Sequence, residues 1–148
     1  MSRPQNPNLN FNNLLVLVSK LRRKLDSQIE AEVYYRGLKN FKSSYLPIFL
    51  LLYKNGDTTV KIAEACGVTK QASSKLILEM TALGYLKTQV NKEDRRSTVV
   101  LLSAKGKRMA TEVRKCLHKL TENYKSLMGK NKYDSMVELL DILLVLHE

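Results

Sequence analysis

The side chains that could do chemistry are gathered in two short polar runs, and the chemistry they suit is recognition of a polyanion. The first run is Thr69-Lys70-Gln71-Ala72-Ser73-Ser74-Lys75. Lys70 and Lys75 carry full positive charges. Gln71 can hydrogen-bond bidentately to an adenine edge, and Ser73 or Ser74 can donate to a base or a phosphate. The second run is Asn91-Lys92-Glu93-Asp94-Arg95-Arg96-Ser97. Arginines such as Arg95 and Arg96 suit a narrow, electronegative groove. Asp94 is the odd member, because a carboxylate repels a polyanion. Its expected role is to hold Arg96 by a salt bridge across one residue. Either run alone is more often a solvated surface; their meaning depends on the elements that carry them.

Those elements are legible from spacing. Ile62, Ala63 and Cys66 mark the inner face of a helix that Thr58 or Thr59 can cap. Gly67 supplies a sharp turn, and Thr69 caps the next helix, whose inward stripe is read as Ala72, Leu76, Met80 and Leu83. Gly84 stops it. Two strand-like runs follow, Tyr85–Val90 and Thr98–Leu102, joined by the charged loop. The order is therefore helix, tight turn, helix, hairpin. The first polar run opens a helix, where free N–H groups and the helix dipole favour an anion, and the second tips a hairpin.

Helices flank this unit on both sides. Before it, Leu14, Leu17, Val18, Leu21, Leu25 and Ile29 form one apolar stripe of a helix running from about Asn10 to the Tyr35–Gly37 region, behind a polar arm at residues 1–8. A second helix is expected after Ser43 or Ser44 as its cap, with Pro47 in the first turn. After the hairpin, Ser103 caps a helix with a heptad-like seam of Met109, Val113, Cys116, Leu120, Tyr124 and Leu127. Gly129 ends it. The last helix, about Tyr133–His147, is apolar on nearly every face and needs cover that a second copy of the chain would supply. The fold class is mainly α with a small β-hairpin (α+β). We divide the 148 residues into an arm and helix at 1–42, a helix-turn-helix and hairpin lobe at 43–102, and C-terminal helices at 103–148.

Charge follows the same division. The net charge is +11 overall. Residues 1–57 hold 9 Lys/Arg against 4 Asp/Glu, residues 58–108 hold 10 against 4, and residues 109–148 hold 6 against 6. The excess sits on the front and middle, as a polyanionic partner there would require, and vanishes in the tail. Two cysteines are too few for a disulfide framework, and the first residues lack the apolar segment of a signal peptide. No apolar run reaches membrane-spanning length. A cytoplasmic protein is expected.

At this point the sequence resembles a known family. Ile62-Ala63-Glu64-Ala65-Cys66-Gly67-Val68-Thr69, Gly84-Tyr85-Leu86, Asp94-Arg95-Arg96-Ser97 and Val100-x-Leu102-Ser103-x-x-Gly106 match, in order and spacing, the multiple-antibiotic-resistance regulators, MarR. The resemblance implies a winged helix-turn-helix flanked by N- and C-terminal dimerisation helices. It implies a homodimeric transcriptional regulator, in most cases a repressor, on a pseudo-palindromic double-stranded DNA operator. By position, Thr69, Lys70, Gln71, Ser73, Ser74 and Lys75 would serve the recognition helix, Arg95 and Arg96 the wing, and Asp94 its anchor. It also implies a small aromatic ligand bound between the dimer helices and the lobe, near Tyr34, Tyr45 and Phe49.

The chain departs from the family's peroxide sensors, which carry a cysteine early in the first helical region, since residues 1–65 contain none. Arg114, Lys115 and His118 lie near Cys116 and could lower its pKa. His118 and His147 are too few and too far apart for a metal site, and no cofactor is expected. The sequence has no phosphate-binding glycine loop, nucleophile elbow or closely spaced His/carboxylate set, so an enzyme is not expected. The rival reading is a ligand-independent packaging or other nucleic-acid-binding protein. The lack of aromatic residues on the polar helix face favours duplex DNA over single-stranded RNA.

Overall fold

The computed structural model describes residues 11–92 and 94–147. The expected arm at residues 1–8, and Asn10, lie outside the described residues. Helix α1 (Phe11–Tyr35) leads through a 3-10 turn (Ser43–Tyr45) into α2 (Leu46–Leu51). Strand β1 (Asp57–Thr58), α3 (Thr59–Cys66) and α4 (Lys70–Ala82) follow. Strands β2 (Leu86–Val90) and β3 (Thr98–Leu102) precede α5 (Ala104–Met128) and α6 (Lys130–Val145). The architecture is mostly helical with a small antiparallel sheet, as the sequence patterns require.

The sheet has one strand more than the sequence suggested. Asp57 and Thr58 pair with Val100 and Val99, so the strand order is β1-β3-β2. Two residues are too short to show a period of two, which is why pattern reading passed over them. β2 and β3 pair from Leu86↔Leu102 to Val90↔Thr98.

The core lies where α2, α3, α4, the sheet and the first half of α5 meet. Tyr45, Ile48, Phe49, Ile62, Met80, Tyr85, Val100 and Val113 are all fully buried in it. Phe49 packs edge-on to Tyr85 with ring centroids 5.5 Å apart and stacks on Phe41 at 6.4 Å, a favoured geometry for aromatic pairs.

The flanking helices divide differently from their spacing. On α1 only the C-terminal part of the predicted stripe is covered: Ile29 and Val33 are buried, whereas Leu14, Leu17, Val18, Leu21 and Leu25 are exposed. Polar links tie that covered part to α5, with Lys119 Nζ 2.7 Å from Glu32 and Tyr124 Oη donating to Gln28 at 2.5 Å. On α5 the seam is buried at Met109, Val113, Cys116 and Leu120 and then runs out, with Leu127 exposed. No residue of α6 is buried.

The predicted cap of the second helix is not formed. Neither the Ser43 nor the Ser44 hydroxyl caps it. Instead the Ser43 N–H donates to Glu30 Oε1 of α1 at 2.7 Å, so the 3-10 turn is fixed to α1 by a tertiary contact. Pro47 does occupy the first turn of α2.

Candidate nucleic-acid interface

The tight turn forms as its residues dictate. Gly67 ends α3 at φ +63°, a left-handed conformation that costs glycine no Cβ clash, and the Val68 N–H closes back on the Ala63 carbonyl at 3.1 Å. The Thr69 hydroxyl then accepts the Ala72 N–H at 3.1 Å, capping α4. Its own proton stays free to donate outward. Lys70, Gln71, Ser74 and Lys75 are exposed around this helix start, beside N–H groups that have no partner within the helix.

Ser73 is not part of that face. It is fully buried on one stripe with Ile77 and Met80, and its hydroxyl has no hydrogen-bond partner among the described residues. Ala72, expected inside, is exposed. The helix is rotated by about one residue from the pattern-based reading. Polarity assigned Ser73 outward, but a side chain this small also fits a buried stripe, and here it is buried. Ser73 is therefore withdrawn from the candidate DNA contacts.

The wing loop is closed by its own polar groups. Asn91 N–H donates to the Ser97 carbonyl at 3.0 Å, and Ser97 N–H and Oγ both reach the Asp94 carbonyl at 3.0 Å. Asn91 Nδ2 donates to Ser97 Oγ at 2.9 Å. The Asp94 carboxylate does not make the expected salt bridge to Arg96. It accepts the Arg96 backbone N–H at 3.0 Å, two residues along, in an Asx-type turn. The geometry is simpler than the predicted one, because a short aspartate reaches the nearby backbone sooner than a guanidinium. Arg95 and Arg96 are exposed, and among the described residues no ion pair engages them.

Two junctions hold these parts in relation. At the first, Ser103 N–H donates to the Tyr85 carbonyl at 2.9 Å and Ser103 Oγ to the Gly84 carbonyl at 2.5 Å, while the same oxygen accepts the Gly106 N–H at 2.9 Å. A Cβ on Gly106 would stand 2.0 Å from the Tyr85 carbonyl oxygen. The Leu-Ser-x-x-Gly run is therefore a packing requirement, in which α5 starts directly against the turn that ends α4. At the second junction, Lys42 bridges to Glu79 of α4. The Lys42 hydrogen bond holds the Glu79 carboxyl below its usual range, and that bond raises Lys42 in turn.

The three aromatic residues proposed for a ligand pocket are not brought together. Tyr45 and Phe49 are fully buried core residues, whereas Tyr34 is 61% exposed, with its ring edge-on to Tyr35. Open clefts lie elsewhere, one along α6 at Met136, Leu139 and Leu143, another at Leu38, Lys107 and Arg108. Cys116 is also unlike the expectation: burial pushes its thiol up, outweighing the nearby Arg36, and burial raises Cys66 as well. Among the described residues no three His, Cys, Asp or Glu side chains cluster as metal ligands, and no helix is long and apolar enough to cross a membrane.

Residues 40–97, which span the turn, α4 and the wing loop, match the MarR family model. With β3, that segment has the winged-helix fold. The MarR fold continues through both flanks. A MarR transcriptional regulator from Methanosarcina mazei Go1 is 20% identical and superposes with a TM-score of 0.77 over 90% of this chain and 94% of its own. The transcriptional repressor CouR, bound to a 23-mer DNA duplex, is 17% identical with a TM-score of 0.77, over 93% of this chain and 99% of its own. NadR in complex with 4-hydroxyphenylacetate is 17% identical with a TM-score of 0.68, over 98% and 97%. At such identities the likeness is one of fold. Among curated proteins the sequence has no match. The fold is that of MarR-family DNA-binding transcriptional regulators, and both polar runs fall inside its matched segment.

Proposed function

We propose that this protein is a homodimeric, sequence-specific regulator of transcription that binds a pseudo-palindromic duplex operator, acts as a repressor in the cytoplasm, and is released by a small aromatic ligand. The observation that carries this reading is the pairing of an outward polar and basic α4 start with an arginine-tipped wing on one lobe. Lys70, Gln71, Ser74 and Lys75, with the Thr69 hydroxyl, would enter a major groove. Arg95 and Arg96 would reach the adjacent minor groove or backbone. Lysines and arginines supply salt-dependent affinity, and Gln71 supplies part of the base readout.

Dimerisation is supported by two uncovered apolar surfaces, Leu14–Leu25 on α1 and Val137–Val145 on α6. Together they exceed the scattered apolar exposure of an ordinary monomer surface. Two lobes on one dimer would read half-sites about one helical turn apart. A ligand that changed their spacing would remove the avidity of double attachment. The ligand-bound NadR structure supports such a ligand. Because Tyr45 and Phe49 are core residues, its site would have to be completed at the dimer junction.

Sheared genomic DNA captured by the full-length protein at near-physiological salt, then sequenced, tests the reading. Enrichment of a few sites that share an inverted repeat is expected. Uniform recovery would establish packaging instead, and a monomeric mass at micromolar concentration would remove the dimer.

A further inference from the structure

Leu78 is the large apolar side chain that α4 leaves in water, at 71% exposed. Its place on the helix gives that exposure a meaning. Ser73, Ile77 and Met80 define the buried stripe. At 3.6 residues per turn, the opposite stripe carries Gln71, Lys75 and Leu78. Leu78 therefore continues the outward line that begins with Gln71. It stands two turns farther along, roughly 10 Å at 1.5 Å per residue. That is about three base-pair steps of duplex.

Gln71 offers hydrogen bonds and Lys75 offers charge; Leu78 offers neither. In a major groove the apolar feature a leucine can meet is the C5-methyl group of thymine, which the other bases lack. A single exposed leucine needs no explanation on an ordinary surface. On a groove-reading stripe it excludes water from whatever base edge it touches, and a thymine methyl is the edge that gains from this. We propose that Leu78 is a specificity-determining residue that reads a thymine methyl in each half-site, on the side of the recognition helix away from its N-terminus. This rests on the assignment of α4 as the groove-reading helix.

The test uses the full-length protein and a duplex recovered by the genomic capture. Thymines at symmetric positions in the two half-sites are replaced pairwise by deoxyuridine, which removes the methyl and keeps the pairing edge. One pair is expected to weaken the wild-type protein by about fourfold per methyl, about fifteenfold for the two, from the usual gain per buried carbon. Leu78→Ala should bind the parent duplex weaker by a similar factor and show no further loss with deoxyuridine at that pair. Its melting curve should match wild type, because the side chain is outside the core. Equal deoxyuridine penalties in Leu78→Ala and wild type, or no sensitive pair in wild type, would overturn the assignment of Leu78 while duplex binding itself stands. Absence of any recovered duplex would overturn both.

Discussion

The Asp94 carboxylate accepts the Arg96 backbone N–H at 3.0 Å and leaves the Arg96 guanidinium free of it. The negative charge in an otherwise basic wing thus shapes the loop rather than neutralising its arginine. Asp94→Asn keeps an acceptor oxygen and should bind operator DNA within about twofold of wild type, whereas Asp94→Ala loses the turn, worth about 1 kcal/mol of loop order. Electrophoretic titration at fixed salt compares them. Tighter binding by Asp94→Ala would mean that charge repulsion, not loop geometry, is the dominant effect of Asp94.

Arg96→Ala should weaken DNA binding without changing the thermal midpoint, since the side chain is exposed and unpaired among the described residues. The plot of log affinity against log salt should become shallower by about one per wing. An unchanged slope would place Arg96 off the phosphates.

Gly106→Ala should destabilise the fold. Its Cβ meets a backbone carbonyl at 2.0 Å, which cannot rotate away as a side chain could. The cost should be about 1–3 kcal/mol or more, as for other overpacked sites. Urea unfolding reads it directly, and a wild-type midpoint would refute the close approach of α5 to Tyr85.

Leu140→Asp should separate the subunits. In the single chain Leu140 is 41% exposed, so the new charge has water within reach and the subunit should stay folded. In a dimer the same charge would be buried without a partner. Light scattering should give the monomer mass with an unchanged far-ultraviolet spectrum. A dimeric mass would move the interface away from α6.

Stability should fall on the acid side. Glu32, Glu79 and Glu112 are each held below the usual carboxylate range, chiefly by hydrogen bonds from Lys119, Lys42 and Lys115. A carboxyl whose folded pKa is depressed stabilises the fold above its unfolded pKa, and that contribution is lost as pH falls through the folded value. All three groups are solvent-accessible, so each effect is small. Glu79→Gln should flatten part of the decline in melting temperature below pH 4.5. A Glu79→Gln profile parallel to wild type would show that the Lys42 contact is not maintained in solution.

The sequence by itself determined the order of the main helices and the hairpin, the turn at Gly67, the caps at Thr69 and Ser103 and the location of the basic loop. Each is set by residues adjacent in the chain, where backbone sterics and short hydrogen bonds decide. The motif from Leu102 to Gly106 was legible as a pattern, although its reason, the Tyr85 carbonyl against α5, was not. Tertiary structure decided whatever depends on the partner of a side chain. It turned Ser73 inward, where a side chain this small fits a buried stripe despite its hydroxyl, and took Tyr45 and Phe49 into the core. It completed the sheet with Asp57 and Thr58, whose partners lie some forty residues away in sequence. It left the apolar faces of α1 and α6 uncovered, because hydrophobic spacing announces that a face will be buried and does not say against which chain.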